Sequence, residues 1–530
     1  MKIIVSQIGY DVGRSKHALV MDACGNYSIF ELISTISKKN CFSGEVRYWG
    51  EKWNHKWAVV DFPKFDIPGD YLLRVMSNES EVKEAKNHIH IGNSLLWHET
   101  WYPVSVGQLD VRAAYSYKLE GGWKDCGSDL QELSSHIIML TALCDLLETN
   151  MLTNTDRKSI YKHIIRGAEY LLVCQTDEGA FVHEIRQNMS ISTGNCANAS
   201  MCLARIGRLI KSYSPSKSII YINKAILGYN WIRKNRPIVV PFSDANYTIT
   251  HGAPVEMQTP PNEYMTRDLL ALLSAAIELY INGKREYEND LYLIARQICS
   301  RQISKEDAEY GFYGQFRTYQ SFEFSEKADL HCGAWNTPFK NYNQGSHFPH
   351  RIIPILKLMR LKPSNQDYSL WFETVKNFAY GYFLPACESS PFGIIPAGIF
   401  QGQGLCFFSG WYHGHTKIYG YAAELAELFF SLFHDMRFRV IADGNIQWIA
   451  GLNSEGISLI AGIGDNHAVD WNELKGTIIN GFDASKQFSI EPVLYSTDLP
   501  TYLDDEGGIH HCAGYLSGLC AIYGHDSVKA

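Results

Sequence analysis

The stretch Thr266-Arg267-Asp268-Leu269-Leu270-Ala271-Leu272-Leu273-Ser274-Ala275-Ala276-Ile277-Glu278-Leu279-Tyr280-Ile281 sets apolar side chains at Leu269, Leu272, Leu273, Ala276, Ile277 and Tyr280, three and four residues apart. That spacing puts them on one face of an α-helix. The same texture recurs over 130–147, 156–174, 197–212, 219–233, 289–303, 368–383, 419–433 and 438–449. Between these helices run Gly-, Pro-, Asn- and aromatic-rich segments at 176–195, 237–264, 309–345, 385–414 and 454–508, too long to be mere connectors. The economical architecture is a closed double ring of about twelve helices whose long loops build a cleft at one end.

Before residue 93 the texture is different. Short β-type runs at 2–6, 17–21, 27–32, 46–48, 57–61, 71–75 and 88–91 alternate with turn signals, among them Pro68-Gly69-Asp70. Strands at that spacing describe a small β-sandwich. The expected organisation is therefore multidomain, a β-sandwich over 1–93 followed by an all-α domain over 94–530.

Composition narrows the function. A chain of 530 residues with 46% hydrophobic and 20% charged residues is an ordinary globular protein long enough for two domains. Its net charge of −8 and lack of any basic run argue against nucleic acid and anionic membrane as partners. The first residues lack the apolar core of a signal peptide, which leads to the expectation of a cytoplasmic protein. The 13 cysteines are odd in number and scattered, so they read as reduced, buried small hydrophobes. Aromatic residues reach 13%, enough to fill cores and still line a groove on which sugar rings stack.

Chemistry concentrates in Gly121-Gly122-Trp123-Lys124-Asp125-Cys126-Gly127-Ser128-Asp129. Glycines allow tight turns and close approach, Trp123 offers a flat apolar face with one N–H, and Asp125 and Asp129 can position a water. The competing reading makes Asp129 a helix cap and Asp125 a turn residue.

This loop is similar to the Gly-Gly-Trp-x-Asp-Ala-Gly-Asp loop of glycoside hydrolase family 9. Other stretches carry the same resemblance in order along the chain: Val5-Ser6-Gln7-Ile8-Gly9-Tyr10 with Lys16 and Pro68-Gly69-Asp70-Tyr71, then Trp448 to Asn453, then Gly456 to Gly464, then Asp505-Glu506-Gly507-Gly508-Ile509-His510-His511-Cys512-Ala513. The resemblance implies an immunoglobulin-like domain ahead of an (α/α)6 barrel. It also implies inverting hydrolysis of a glycosidic bond, with Glu506 as the general acid and Asp125 as a water-holding aspartate. An acid in that role is favoured by an apolar wall or a like charge, and Tyr502, Leu503 and Asp505 stand beside Glu506.

The departures matter equally. The family's catalytic base falls at Ser128, which holds no negative charge at neutral pH, so either Asp129 has taken over or base catalysis is lost. No Arg follows in 465–471 where the family has His-x-Arg, and Cys512 replaces an Asn after the acid. Cellulose therefore becomes a poor expectation, and the leading one is a divergent enzyme trimming oligosaccharides from one end. The alternatives are a carbohydrate-binding pseudoenzyme without a base, or a polysaccharide lyase using Tyr412 and His413. Trp335, Trp411, His413 and Tyr502 join Trp123 as candidate sugar contacts. No metal-binding spacing stands out. No cofactor is expected, although some relatives carry structural calcium.

Overall fold

The computed structural model describes residues 2–23, 27–77, 84–115, 121–126, 131–185, 189–238, 262–308, 310–317, 320, 352–396, 398–400, 404–407, 416–470, 473–483 and 502–524. Eight strands come first: β1 (Lys2–Ile4), β2 (Tyr10–Asp11), β3 (His17–Met21), β4 (Tyr27–Ser34), β5 (Asn40–Lys52), β6 (His55–Asp61), β7 (Gly69–Ser77) and β8 (Glu84–Gly92). They pair in the order β1-β3-β6-β5-β4-β7-β8-β2. The 13-residue β5 pairs with β4 through residues 40–45 and with β6 through 46–52. One strand thus serves two layers, and the sheet closes over a core of Phe30, Leu32, Leu73, Val75 and Ile89.

β3 and β6 bury both faces, which is why they read as near-continuous apolar runs instead of a clean alternation. Ala18, Val20, Ala58 and Val60 point into the sandwich, whereas Leu19, Trp57 and Val59, with Ile4 of β1, join the core of the helical region. Period two along each strand accounts for the division.

Polar contacts fasten the same face. Arg14 donates to Asp443 Oδ1 (Nε 2.9 Å, Nη2 2.6 Å) and also to Glu427, all three side chains being nearly buried. Gln7 donates its amide to Ala450 O (2.8 Å) and accepts from Asp465 N (2.9 Å), while its Oε1 accepts from Asn466 N (3.1 Å). Tyr523 hydrogen-bonds Asp11, and His90 lies between Asp70 (2.5 Å) and Asp465 (2.8 Å).

The helical region opens with α1 (Leu95–Tyr102), a π-turn (Pro103–Gly107) and α2 (Gln108–Tyr115). It continues with α3 (Leu133–Glu148), α4 (Asn154–Val173), α5 (Thr193–Leu209), α6 (Pro215–Lys234), α7 (Thr266–Ile281), α8 (Glu288–Cys299), α9 (Ile353–Leu361), α10 (Tyr368–Asn377) and α11 (Leu384–Glu388). The hairpin β9 (Gly398–Phe400)–β10 (Gly404–Cys406) follows, then α12 (Thr416–Phe433), α13 (Met436–Ile449), the ribbon β11 (Ile479–Asp483)–β12 (Tyr502–Gly507), and α14 (Ile509–Tyr523). No helix among the described residues is long and apolar enough to cross a membrane.

α12 and α14 cross backbone to backbone. A Cβ on Gly420 would sit 2.0 Å from Gly514 O, one on Gly514 2.3 Å from Lys417 O, and one on Gly518 2.5 Å from Gly420 O. Only residues without a side chain fit three such contacts in register. The crossing brings the start of α12 against the start of α14, immediately after Glu506.

Candidate active site

The Gly121–Cys126 segment owes its path to neighbours on α3 and α4. Gly121 (φ 72°) and Gly122 (φ 66°) adopt left-handed backbone, and a Cβ on Gly122 would meet His136 Nε2 at 2.6 Å. Trp123 is fully buried and stacks on His136 at 5.4 Å, its ring filling the slot left by Gly167 of α4. This corrects the expected sugar-stacking role: with no exposed face, Trp123 is the pin that anchors the loop. His136 Nε2 accepts the Trp123 amide (3.0 Å), so its proton lies on Nδ1, which donates to Glu132 O (2.8 Å). Burial lowers the His136 pKa to about 4 and keeps the ring neutral.

Anchored this way, the loop turns the Asp125 carboxyl inward. Asp125 is 2% exposed; its Oδ2 accepts the Glu132 amide at 2.9 Å, while Oδ1 meets no N–H or O–H donor among the described residues. Burial first, and the nearby Glu132 carboxylate second, push its pKa up to about 7. The Glu132 amide, the Cys126 side chain and the charge of Arg112 favour the carboxylate, and burial outweighs them. His183 Nε2 lies 3.2 Å from Glu132 Oε1. Burial disfavours the His183 imidazolium, but Glu132 and the more distant Asp125 and Glu184 outweigh it and raise the pKa.

Glu506 lies near the end of β12, on a strand and not in a solvated turn. Strand alternation places it on the same side as Asp504, whereas Asp505 is exposed on the other. The like-charge neighbour of Glu506 is accordingly Asp504. Asn480 of β11 donates through Nδ2 to Asp504 Oδ2 (3.1 Å) and Glu506 Oε2 (3.4 Å), and Asp504 Oδ1 accepts the Glu506 amide (3.0 Å). Asp470, 1% exposed, accepts the Gly507 amide at 2.8 Å.

Two links join the acidic loop to this strand. Ile509 N donates to Asp125 O at 2.8 Å. The buried Arg112 of α2 spreads its fork over Gln108 Oε1 (2.6 Å), Lys124 O (3.1 Å), Cys126 O (3.3 Å), Thr477 Oγ1 (2.8 Å) and Gly507 O (3.2 Å). The segments carrying Asp125 and Glu506, 381 residues apart in the chain, thus share one guanidinium. Nothing in their local sequence announces Arg112, Asn480, Asp504, Glu132 or His183 as partners.

Of the other expected site residues, Asp129, Trp335, Trp411 and His413 lie outside the described residues, as do Ser128 and Tyr412. Tyr502 opens β12 opposite Asp483, and its side chain is outside the described set. Cys512 is fully buried, and burial raises its thiol to about 11, so the position is a core one. Among the described residues no group of three or more His, Cys, Asp or Glu side chains is placed to hold a metal ion.

Comparison with known proteins bears on the whole arrangement. Residues 1–80 match the family described as the cellulase N-terminal ig-like domain. No curated protein sequence matches the chain. The structure is similar to that of a metagenome-derived glycoside hydrolase family 9 endoglucanase, with TM-score 0.69 and 15% identity over 99% of each chain. It is also similar to a family 9 glycoside hydrolase of Bacteroides ovatus (TM-score 0.63, 14% identity, 99% of each chain). A mutant thermostable endoglucanase from Alicyclobacillus acidocaldarius gives TM-score 0.61 and 14% identity over 98% of this chain and 99% of that one. An immunoglobulin-like domain leading into a helical (α/α)6 barrel is the class of protein defined here. More narrowly, the chain has the fold of the family 9 glycoside hydrolases from end to end.

Proposed function

We propose that this chain is an inverting glycoside hydrolase of the family 9 type, acting on oligosaccharides from one end. The observation that supports the reading is the tie between the Asp125 loop and the Glu506 strand through Arg112 and Ile509, which joins the main chain of the acidic loop to the end of the strand that carries Glu506. In this reading Glu506 protonates the departing oxygen, Asp125 holds the attacking water, and Asp129 removes its proton in place of the base missing at Ser128. The sugar is bound by aromatic side chains of the long loops, Trp335, Trp411 and His413 among them.

A reducing-sugar assay across cello-, chito- and mixed-linkage oligosaccharides tests the reading, with Glu506→Gln as the control. Release of sugar by the wild type, lost by about 10²–10⁴-fold in Glu506→Gln, supports it. Silence on every substrate sinks it and favours a second reading, a carbohydrate-binding protein without catalytic base, for which Ser128 is the motive.

A further inference from the structure

At the corner where the first domain meets the helical region, one imidazole stands between two carboxylates. His90 and Asp70 are directly opposite in the β7–β8 pairing, so both side chains lie on one face of the sheet, and His90 Nδ1 is 2.5 Å from Asp70 Oδ1. His90 Nε2 reaches the other way, to Asp465 Oδ2 at 2.8 Å, in the segment that follows α13. The backbone around the ring is pinned from the helical side. Gln447 of α13 donates to Gly9 O at 3.0 Å, a Cβ on Gly9 would stand 2.9 Å from His90 O, and Asp465 N donates to Gln7 O at 2.9 Å. A neutral imidazole has one N–H and one lone pair, so it satisfies one carboxylate and turns a lone pair to the other. The imidazolium donates to both. Burial works against that charge, but the hydrogen bonds and charges of Asp465 and Asp70 outweigh it and raise the His90 pKa above its ordinary value. The other charged groups of the neighbouring elements are engaged elsewhere: Arg74 of β7 donates to Glu31, Lys2 of β1 to Ser454 O and Glu455 O, and Asp11 of β2 accepts from Leu95 N. His88, two residues back on the same face of β8, is exposed, and His467 on the segment of Asp465 turns to Gly462 N.

From this geometry we infer that Asp70, His90 and Asp465 form a proton-dependent strap between the domains: the imidazolium ties β8 to the segment after α13, and loss of its proton frees one carboxylate. It acts whatever reaction the cleft performs. Its position gives it reach, because Asp465 lies five residues before Asp470, which accepts the Gly507 amide at the end of the strand carrying Glu506. The strap therefore fastens the first domain to the segment that clamps that strand. The sign of the pH dependence follows from the raised pKa. In the unfolded chain His90 ionises near ~6.5, so the stabilisation is fully present below that pH and is lost as pH rises through the higher folded value. Mildly acid conditions lock the two domains together, and alkaline ones loosen this corner.

Two measurements on the whole chain test the strap. The first is NMR of ¹³C-labelled histidine, with the His90 signal assigned by its loss in His90→Gln. Its titration midpoint should lie above ~6.5 in the wild type. It should fall by at least about half a pH unit in Asp465→Asn and in Asp70→Asn, and further in the double variant. The second is amide hydrogen exchange of the peptide containing Asp465 and Asn466, compared between wild type and His90→Gln at equal pH. Loss of the strap should speed exchange by about 3-fold or more at pH 6 and leave it equal at pH 9. A wild-type midpoint at or below ~6.5 overturns the inference. So does a midpoint that falls in Asp70→Asn but not in Asp465→Asn, which leaves only a pair within the sheet. An exchange difference of the same size at both pH values also overturns it, because a merely structural loss of the ring would give that result.

Discussion

The carbonyl of Asp125 accepts the amide of Ile509 at 2.8 Å, so the acidic loop and the first residue of the final helix move as one piece. Glu506 lies three residues upstream of that bond, on a strand whose end at Gly507 is clamped by Arg112 and Asp470. The two segments are thus tied through their main-chain atoms, and side-chain changes at Asp125 or Glu506 should leave the other in place.

Asp125 should impose a pH limb. With its pKa pushed to about 7, a water-holding role requires activity on an activated aryl glycoside to rise with pH through about 7. Stability runs the opposite way. An unfolded Asp ionises near ~3.9, so between there and about 7 the folded state holds the extra proton and stability falls as pH rises. Asp125→Asn removes that slope. Its melting temperature relative to wild type should be higher at pH 8 than at pH 4, and a pH-independent difference would contradict the buried, protonated carboxyl.

Arg112→Met deletes the shared fork and leaves the carbonyls of Lys124, Cys126 and Gly507 without it. Each buried acceptor so stranded costs on the order of 1–3 kcal/mol. Combined with loss of registry, turnover should drop by roughly 10²-fold. Arg112→Lys should recover little, because one ammonium cannot reach five acceptors in a plane. Full activity in Arg112→Met would show that the two segments need no common tie.

Arg14→Met should destabilise the protein by about 3–5 kcal/mol, because it removes the guanidinium charge that faces the buried Asp443 and Glu427. Adding Asp443→Asn and Glu427→Gln to the same chain should return part of the loss. Urea unfolding of the single and triple variants decides it; a triple variant less stable than Arg14→Met alone would refute the account.

Gly420→Ala pushes a methyl group to 2.0 Å from Gly514 O. Backbone cannot give way as a side chain can, so a loss of at least about 3 kcal/mol is expected, at the upper end of overpacking costs. Gly283→Ala makes a useful contrast, because a Cβ there meets nothing within 4 Å and only its φ of 85° opposes the change. The thermal shift of Gly420→Ala should be the larger of the two.

Amphipathic helices were legible because one apolar stripe per helix is written in a 3.6-residue period; Thr266–Ile281 has the bounds its pattern suggests. The last helix, Ile509–Tyr523, escaped because it is buried nearly all round, and a helix without a polar face has no period to read. Glu506 falls within the long loop expected over 454–508 because Asp504-Asp505-Glu506 offers no apolar alternation. Its strand exists because Asp470 and Asn480 on distant segments satisfy its polar groups. Trp123 looked like a sugar platform because its slot is made by Gly167, 44 residues onward, and a cavity formed by a missing side chain leaves no local signal.

The fastening of Gln7 and Asp11 to Ala450, Asp465, Asn466 and Tyr523 also has a meaning for how the protein is made. On a ribosome adding 5–20 residues per second, the first domain emerges and then waits on the order of twenty to ninety seconds for those partners to be synthesised. Until their helical partners are made, Ile4, Leu19, Trp57 and Val59 face water instead of the core they join. The nascent chain therefore presents an apolar patch early and covers it late, a window in which chaperones, or other copies of the same unfinished chain, compete for the surface.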